Sequence, residues 1–234
     1  MKLSTDQITT LKKLIFKKGY AEIDVQYEIL DHVACKVEEL LDEQPALKIE
    51  DAFQKVHASF GIFGFLEVEE SYKKVIETRL RKYFWGELKS MSLSLKILIP
   101  LILTFCYFQF AYEMEASFGI EEIQFGIIMI MFLVLFILWW YFAFGRDFKK
   151  YKNYASWRGN QSIMMFGYLP LQFMIQGYRI IGSVNLLEPR NLGFWQFLAV
   201  VFVFIGFYIL TALPAVFKKS LQDTKKLEKI YQTI

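Results

Sequence analysis

Glu28, Asp31, His32 and Cys35 fall within two helical turns and bring together metal-ligating and acid–base side chains. Glu28 and His32 stand four residues apart, as do Asp31 and Cys35, so a helix would set each pair on one face. A zinc site of this kind normally shows Cys-x-x-Cys or His-x-x-x-His spacing. Neither spacing occurs, and His57 lies far along the sequence, so the chain is assigned no metal and no cofactor. His32 reads first as an ordinary residue of a helix surface; with a carboxylate one turn away, a pH-sensitive role is more plausible for it than zinc binding. The sequence holds no Ser-His-Asp order, phosphate-binding loop or dinucleotide fingerprint, and no nucleophile has a base nearby. No catalytic residue is assigned, and the expected activity is non-enzymatic.

A second group lies in an otherwise apolar stretch. Tyr168, Gln172, Gln176 and Arg179 recur at helical spacing and would line one polar face, with Pro170 among them and Gly167 and Gly177 on either side. Such a face can form a niche for a ligand or lipid headgroup. Its more ordinary role is interhelical hydrogen bonding, with Arg179 reaching the nearby interface.

The elements that must position these groups divide the chain. Residues 123–144 form an apolar run without a charge, and Trp139, Trp140 and Tyr141 gather near one end. As a helix the run is about 33 Å long, enough to cross a hydrocarbon core of about 30 Å. Comparable runs at 96–112, 162–182 and 192–217 make four expected spans. The connection after the first carries Glu113, Glu115, Glu121 and Glu122 and no basic residue. The connection after the second carries Arg146, Lys149, Lys150, Lys152 and Arg158, and the tail carries Lys218, Lys219, Lys225, Lys226 and Lys229. By the positive-inside rule both termini are cytoplasmic, as expected of a multi-pass protein of a bacterial inner membrane.

The charge, 22% of 234 residues with a net of +3, is unevenly spread. Residues 1–78 carry 15 acidic against 10 basic side chains, the wrong sign for a nucleic-acid partner. Residues 79–95 are basic, with Arg79, Arg81, Lys82 and Lys89 as expected membrane-surface contacts and Glu87 as the one acid. Leu80, Tyr83, Phe84, Leu88, Met91 and Leu95 fall on one side of a helical wheel here. That pattern suits a helix lying in the interface, bent at Gly86, and equally a plain continuation of the preceding helix into the first span. Two cysteines, Cys35 and Cys106, give no disulfide framework.

Residues 1–78 read as four amphipathic helices. Ser4 and Gln7 form a capping-box pattern behind Leu3, and Ile8, Leu11, Leu14 and Ile15 make the first apolar stripe, which stops at Gly19. The second helix runs from about residue 22 to 43 with Ile23, Tyr27, Leu30, Val33, Ala34, Val37, Leu40 and Leu41 turned inward, and Gln44-Pro45 ends it. Ala52, Phe53, Val56 and Phe60 mark a third ending at Gly61, and Val68, Tyr72, Val75 and Ile76 a fourth. The expected fold class is all-α: a small cytosolic helical bundle (1–78), an amphipathic collar (79–95), a four-helix transmembrane bundle (96–217) and a basic tail (218–234).

The runs Tyr27-Glu28-Ile29-Leu30-Asp31-His32, Val37-Glu38-Glu39-Leu40-Leu41, Glu50-Asp51-Ala52-Phe53 and Phe60-Gly61 resemble the HAAS family, over roughly residues 3–78. The resemblance implies a helical signalling domain joined to membrane spans, with a PadR-type transcription regulator as cytosolic partner. The expected function is therefore a regulatory membrane protein that relays a membrane state to a partner docked on Glu28, Asp31, His32, Glu38, Glu39 and Asp42. The alternative is an accessory or assembly subunit of a larger membrane complex, in which other membrane subunits are the partners; a homo-oligomer is compatible with both.

Overall fold

The structure, a computed structural model, describes residues 2–119, 122–160, 184–187 and 193–232. The fold is all-α, and among the described residues no strand occurs. The helices are α1 (Thr5–Lys17), α2 (Ile23–Glu43), α3 (Ile49–Ser59), α4 (Leu66–Ser92), α5 (Leu98–Phe118), α6 (Glu122–Lys150), α7 (Ala155–Arg158) and α8 (Phe194–Gln232). The chain separates into two compact units. The first is Met1–Leu80 with Phe148–Gly159 and Ser220–Ile234, and the second is Arg81–Asp147 with Asn160–Lys219. Helices α4, α6 and α8 each contribute residues to both.

Local chemistry explains the boundaries in the first unit. The Gln7 backbone N–H donates to Ser4 Oγ, and the Ser4 N–H donates to Gln7 Oε1, so the capping box forms with both of its bonds. This satisfies two of the donors that a helix start leaves open. Gly19 and Gly61 follow α1 and α3 in the left-handed region, at φ 103° and 79°, where a side chain would be strained. Leu11, Ile15, Val33, Val37, Ala52 and Phe53 are completely buried where α1, α2 and α3 pack together. Each large aliphatic or aromatic side chain so buried contributes about 1.5–3 kcal/mol.

The buried arc of α2 is shifted from the stripe expected from its sequence: Leu30, Val33, Val37 and Leu41 are buried, whereas Ile23, Tyr27, Ala34 and Leu40 are half-buried. Val25 and Ile29 are also fully buried, and so is Asp24. The cause is that α2 is covered by more than its sequence neighbours: it packs against α7 as well as α1 and α3.

Along α4 the backbone continues as one helix through residues 79–92. Leu80, Phe84, Leu88 and Met91 of the expected stripe are buried within the protein, whereas Tyr83 is half-buried and Leu95 is exposed. The break falls at Leu93 and Ser94; a short 3-10 turn, Leu95–Ile97, then leads into α5, with the Ser94 hydroxyl accepting the Lys96 N–H.

In the second unit, Tyr107, Phe108 and Ala111 of α5 pack with Val184 and with Ala199 and Val203 of α8. Two described helices are long and apolar enough to cross a membrane: Leu95–Phe118 and Phe194–Gln232. Only 28% and 33% of their most apolar windows are buried, so their apolar surface faces largely outward. Two such helices are fewer than the four spans expected. The stretch expected as the second span, 123–144, is helical within α6, while 162–182 lies outside the described residues. The last helix also runs on past the expected end of its span. It contains Pro214 and carries the basic tail as helix to Gln232.

Candidate functional site

The most elaborate polar construction in the first unit is centred on Asp24, in the first turn of α2. Its Oδ1 accepts the Ala155 N–H at 2.7 Å and its Oδ2 accepts the Ser156 N–H at 2.8 Å. A side chain 131 residues away thus caps the short helix α7, and the carboxylate is fully buried in doing so. Two charge-assisted bonds of this type offset the desolvation of a single carboxylate. Beside them, the Ile23 N–H donates to the Asn153 carbonyl at 2.8 Å, and Arg158 Nη1 reaches Glu22 Oε1 at 2.9 Å. Gly159 sits so close to α4 that an added Cβ would lie 3.1 Å from both Ile76 Cγ2 and Leu80 Cδ1.

The end of α8 closes the same assembly. Tyr27 Oη donates to the Tyr231 carbonyl at 2.8 Å, and the two rings stack with centroids 3.7 Å apart and 4° between planes. Lys12 Nζ donates to Tyr27 Oη at 2.7 Å and also lies over the ring. Tyr151 Oη donates to Glu228 Oε2 at 2.7 Å, joined by Lys150 Nζ at 3.1 Å. The hydroxyls of Ser156 and Thr224, both buried, are 3.3 Å apart. Tyr72 hydrogen-bonds Tyr231, and its phenol is held well above the ordinary value, chiefly by burial and then by the charge of Asp24. It therefore stays a neutral hydrogen-bonding group beside the Asp24 carboxylate. The arrangement joins three distant chain segments by strong, directional bonds.

The residues singled out from the sequence lie mostly elsewhere. Glu28 and His32 face each other at 3.9 Å on the open side of α2, with His32 exposed. Asp31, Glu39 and Asp42 are exposed too, whereas Glu38 is half-buried and its Oε1 accepts the Leu3 N–H at 3.0 Å. Glu38 is thus used to hold the N-terminus. Among the described residues no group of three His, Cys, Asp or Glu side chains is placed to hold a metal ion. His57 packs edge-on to Phe65, and burial, followed by the charge of Lys18, lowers its proton affinity. Arg79 lies 3.9 Å from Asp223, while Arg81, Lys82 and Lys89 are exposed. Tyr168, Gln172, Gln176 and Arg179 lie outside the described residues.

Sequence reasoning did not single out Asp24, because its partners are backbone groups more than a hundred residues downstream. The available signal was an acid within the first turn of a helix otherwise turned inward. No family model matches the chain, and neither a curated protein nor a solved structure does.

Proposed function

We propose that this chain is a non-enzymatic integral membrane regulator whose helical head stands in the cytosol and passes the state of the membrane part to a protein docked on α2. The observation that carries the reading is the make-up of the first unit, in which Met1–Leu80, Phe148–Gly159 and Ser220–Ile234 share one core. Segments that share a core lie on one side of a bilayer, so each stretch between them crosses an even number of times. An outward crossing by α5 then requires a return through α6, and a crossing by α8 requires one before it. The apolar stretch 162–182 is the sequence's candidate for that step. On this reading the chain makes four spans, and the lysine- and arginine-rich segments favour the cytoplasm as their shared side.

The regulatory role is supported by the resemblance of residues 3–78 to HAAS domains and by the way Asp24 and Tyr27 tie α2 to the segment that follows α6 and to the end of α8. Motion in either helix is thereby felt at α2, whose half-buried Glu28 and exposed Asp31, His32, Glu39 and Asp42 form the docking face. A basic surface of a PadR-type regulator would match it. Membrane-impermeant maleimide on a Cys106→Ser protein tests the topology: Cys35 is expected to react in inverted vesicles and not in intact cells. Hydrogen exchange of the full chain in thin and thick bilayers tests the relay. Exchange in α2 is expected to differ between the two bilayers, and Asp24→Ala to abolish the difference; indifference of the natural chain to bilayer thickness defeats the relay.

A further inference from the structure

The second unit contains a charge cluster that the relay does not use. Glu87, on α4, is the buried member, its side chain 8% exposed. Lys219 Nζ lies 2.7 Å from its Oε2 and Lys96 Nζ lies 3.8 Å from its Oε1, and these two side chains are 46% and 60% exposed. The lysines lie more than a hundred residues apart in the sequence. Lys96 opens the helical stretch Leu95–Phe118, and Lys219 follows the apolar length of α8. Their separation is fixed by more than the acid. Tyr208 of α8 donates to the Leu88 carbonyl and shares a hydrogen bond with Ser92, both on α4.

One lysine is enough to neutralise a buried carboxylate. Two leave the cluster with a net positive charge, and each ammonium has three N–H donors of which the acid needs only one. The open donors adjoin an apolar ledge in the chain: Leu93 and Leu95 are 79% and 84% exposed, followed by the exposed Leu98 and Ile99. Cationic donors next to uncovered aliphatic side chains, at the end of a helix fit to span a membrane, match the two parts of a phospholipid. The geometry points to a site in which Lys96 and Lys219, held together by Glu87, bind the phosphate of an anionic membrane lipid whose acyl chain lies along the Leu93–Leu98 ledge. The site rests on the membrane reading above. Glu87 is a positioning residue, because without it the two ammonium groups would repel each other apart.

Thermal unfolding of the full-length protein in detergent, titrated with phosphatidylglycerol, phosphatidylcholine or inorganic phosphate, tests the site. Phosphatidylglycerol is expected to raise the melting temperature and the other two to leave it unchanged. Lys96→Gln, which keeps the Glu87–Lys219 pair, is expected to weaken the phosphatidylglycerol response about fivefold. The triple variant E87Q/K96Q/K219Q, which leaves no buried acid alone, is expected to lose it. Lys225→Gln alters the net charge by the same single unit as the triple variant and is expected to retain the response. An undiminished response in Lys96→Gln and the triple variant, or an equal loss in Lys225→Gln, overturns the site. A response to inorganic phosphate equal to that of the lipid overturns the lipid assignment. Alkaline carbonate extraction separates the two readings: release of the chain defeats the membrane reading, whereas retention without a lipid response defeats the lipid site alone.

Discussion

The two units handle apolar side chains differently. In the first, every helix alternates charge with apolar residues, and Leu11, Ile15, Val33, Val37 and Phe53 disappear completely from solvent. In the second, α5 and α8 are apolar on nearly all sides; one band around Tyr107, Phe108, Ala199 and Val203 is buried with Val184 and Ala111, and Ala212, Val216 and Phe217 are buried further along α8. Ile102, Phe105, Trp195 and Phe197 remain open. Polar groups follow the same division. The first unit spends buried polar atoms on joining chain segments, as with Asp24 and Thr224; the second keeps its buried acid, Glu87, beside the ends of the long apolar helices. A helix with one apolar stripe has one way to satisfy water, whereas a helix apolar all round needs a second apolar medium.

The sharpest way to break this contrast is to open the first core. Phe53→Ala removes a fully buried ring and is expected to cost about 3–5 kcal/mol, read as loss of exchange protection throughout α1–α3. Backbone exchange in α5 should stay as it was if the units are built on separate cores.

Asp24→Ala comes next. It leaves the Ala155 and Ser156 N–H groups buried without their acceptor, at a cost of about 2–3 kcal/mol. Limited proteolysis is the measurement, with cleavage within 148–159 expected to appear while residues 23–43 remain intact.

A smaller effect is expected from acid. His57 is neutral in the fold and has a proton affinity below its ordinary value of 6.5, because burial and then Lys18 disfavour the charged ring. The unfolded chain therefore binds the extra proton first as pH falls. Stability from this group is complete above about 6.5 and declines as pH drops from there toward the lowered folded value. Denaturant titrations between pH 7.5 and 5, an order-of-magnitude window about the reference pKa, are expected to show a slope that His57→Gln flattens.

Gly86→Ala should do least. The glycine lies inside α4 with nothing within 4 Å of an added Cβ, so alanine is expected to stabilise the helix by about 0.5–1 kcal/mol. If α4 instead must bend at Gly86 for the relay, the same change would suppress the bilayer dependence of exchange in α2.

Much of the first unit was legible residue by residue. Ser4 with Gln7 announced the start of α1, Gly19 its stop, and Gln44-Pro45 the end of α2, because these are contacts within a few residues of each other. The apolar stripe of residues 80–91 was legible as a stripe, though its cover was not. It is packed within the protein, and Leu88 and Glu87 are bonded to Tyr208 and Lys219 from the far end of the chain. Tyr27, expected inward from its spacing, is half-buried, and its stacking on Tyr231 could not be read from that spacing. Glu87 carried a visible signal, a single acid among basic neighbours, whereas Asp24 looked like any acid in a first helical turn.

Taken alone, the order of amino acids determined which stretches coil into helices and which of those helices are amphipathic, since both depend on neighbours three or four positions away. Tertiary structure alone decided that the stretch 148–159 and the end of α8 complete the N-terminal bundle, and that two lysines more than a hundred residues apart share one carboxylate. The physical reason is range. A buried charge has to be met by donors wherever the chain can supply them, and no local pattern records which distant segment will do so.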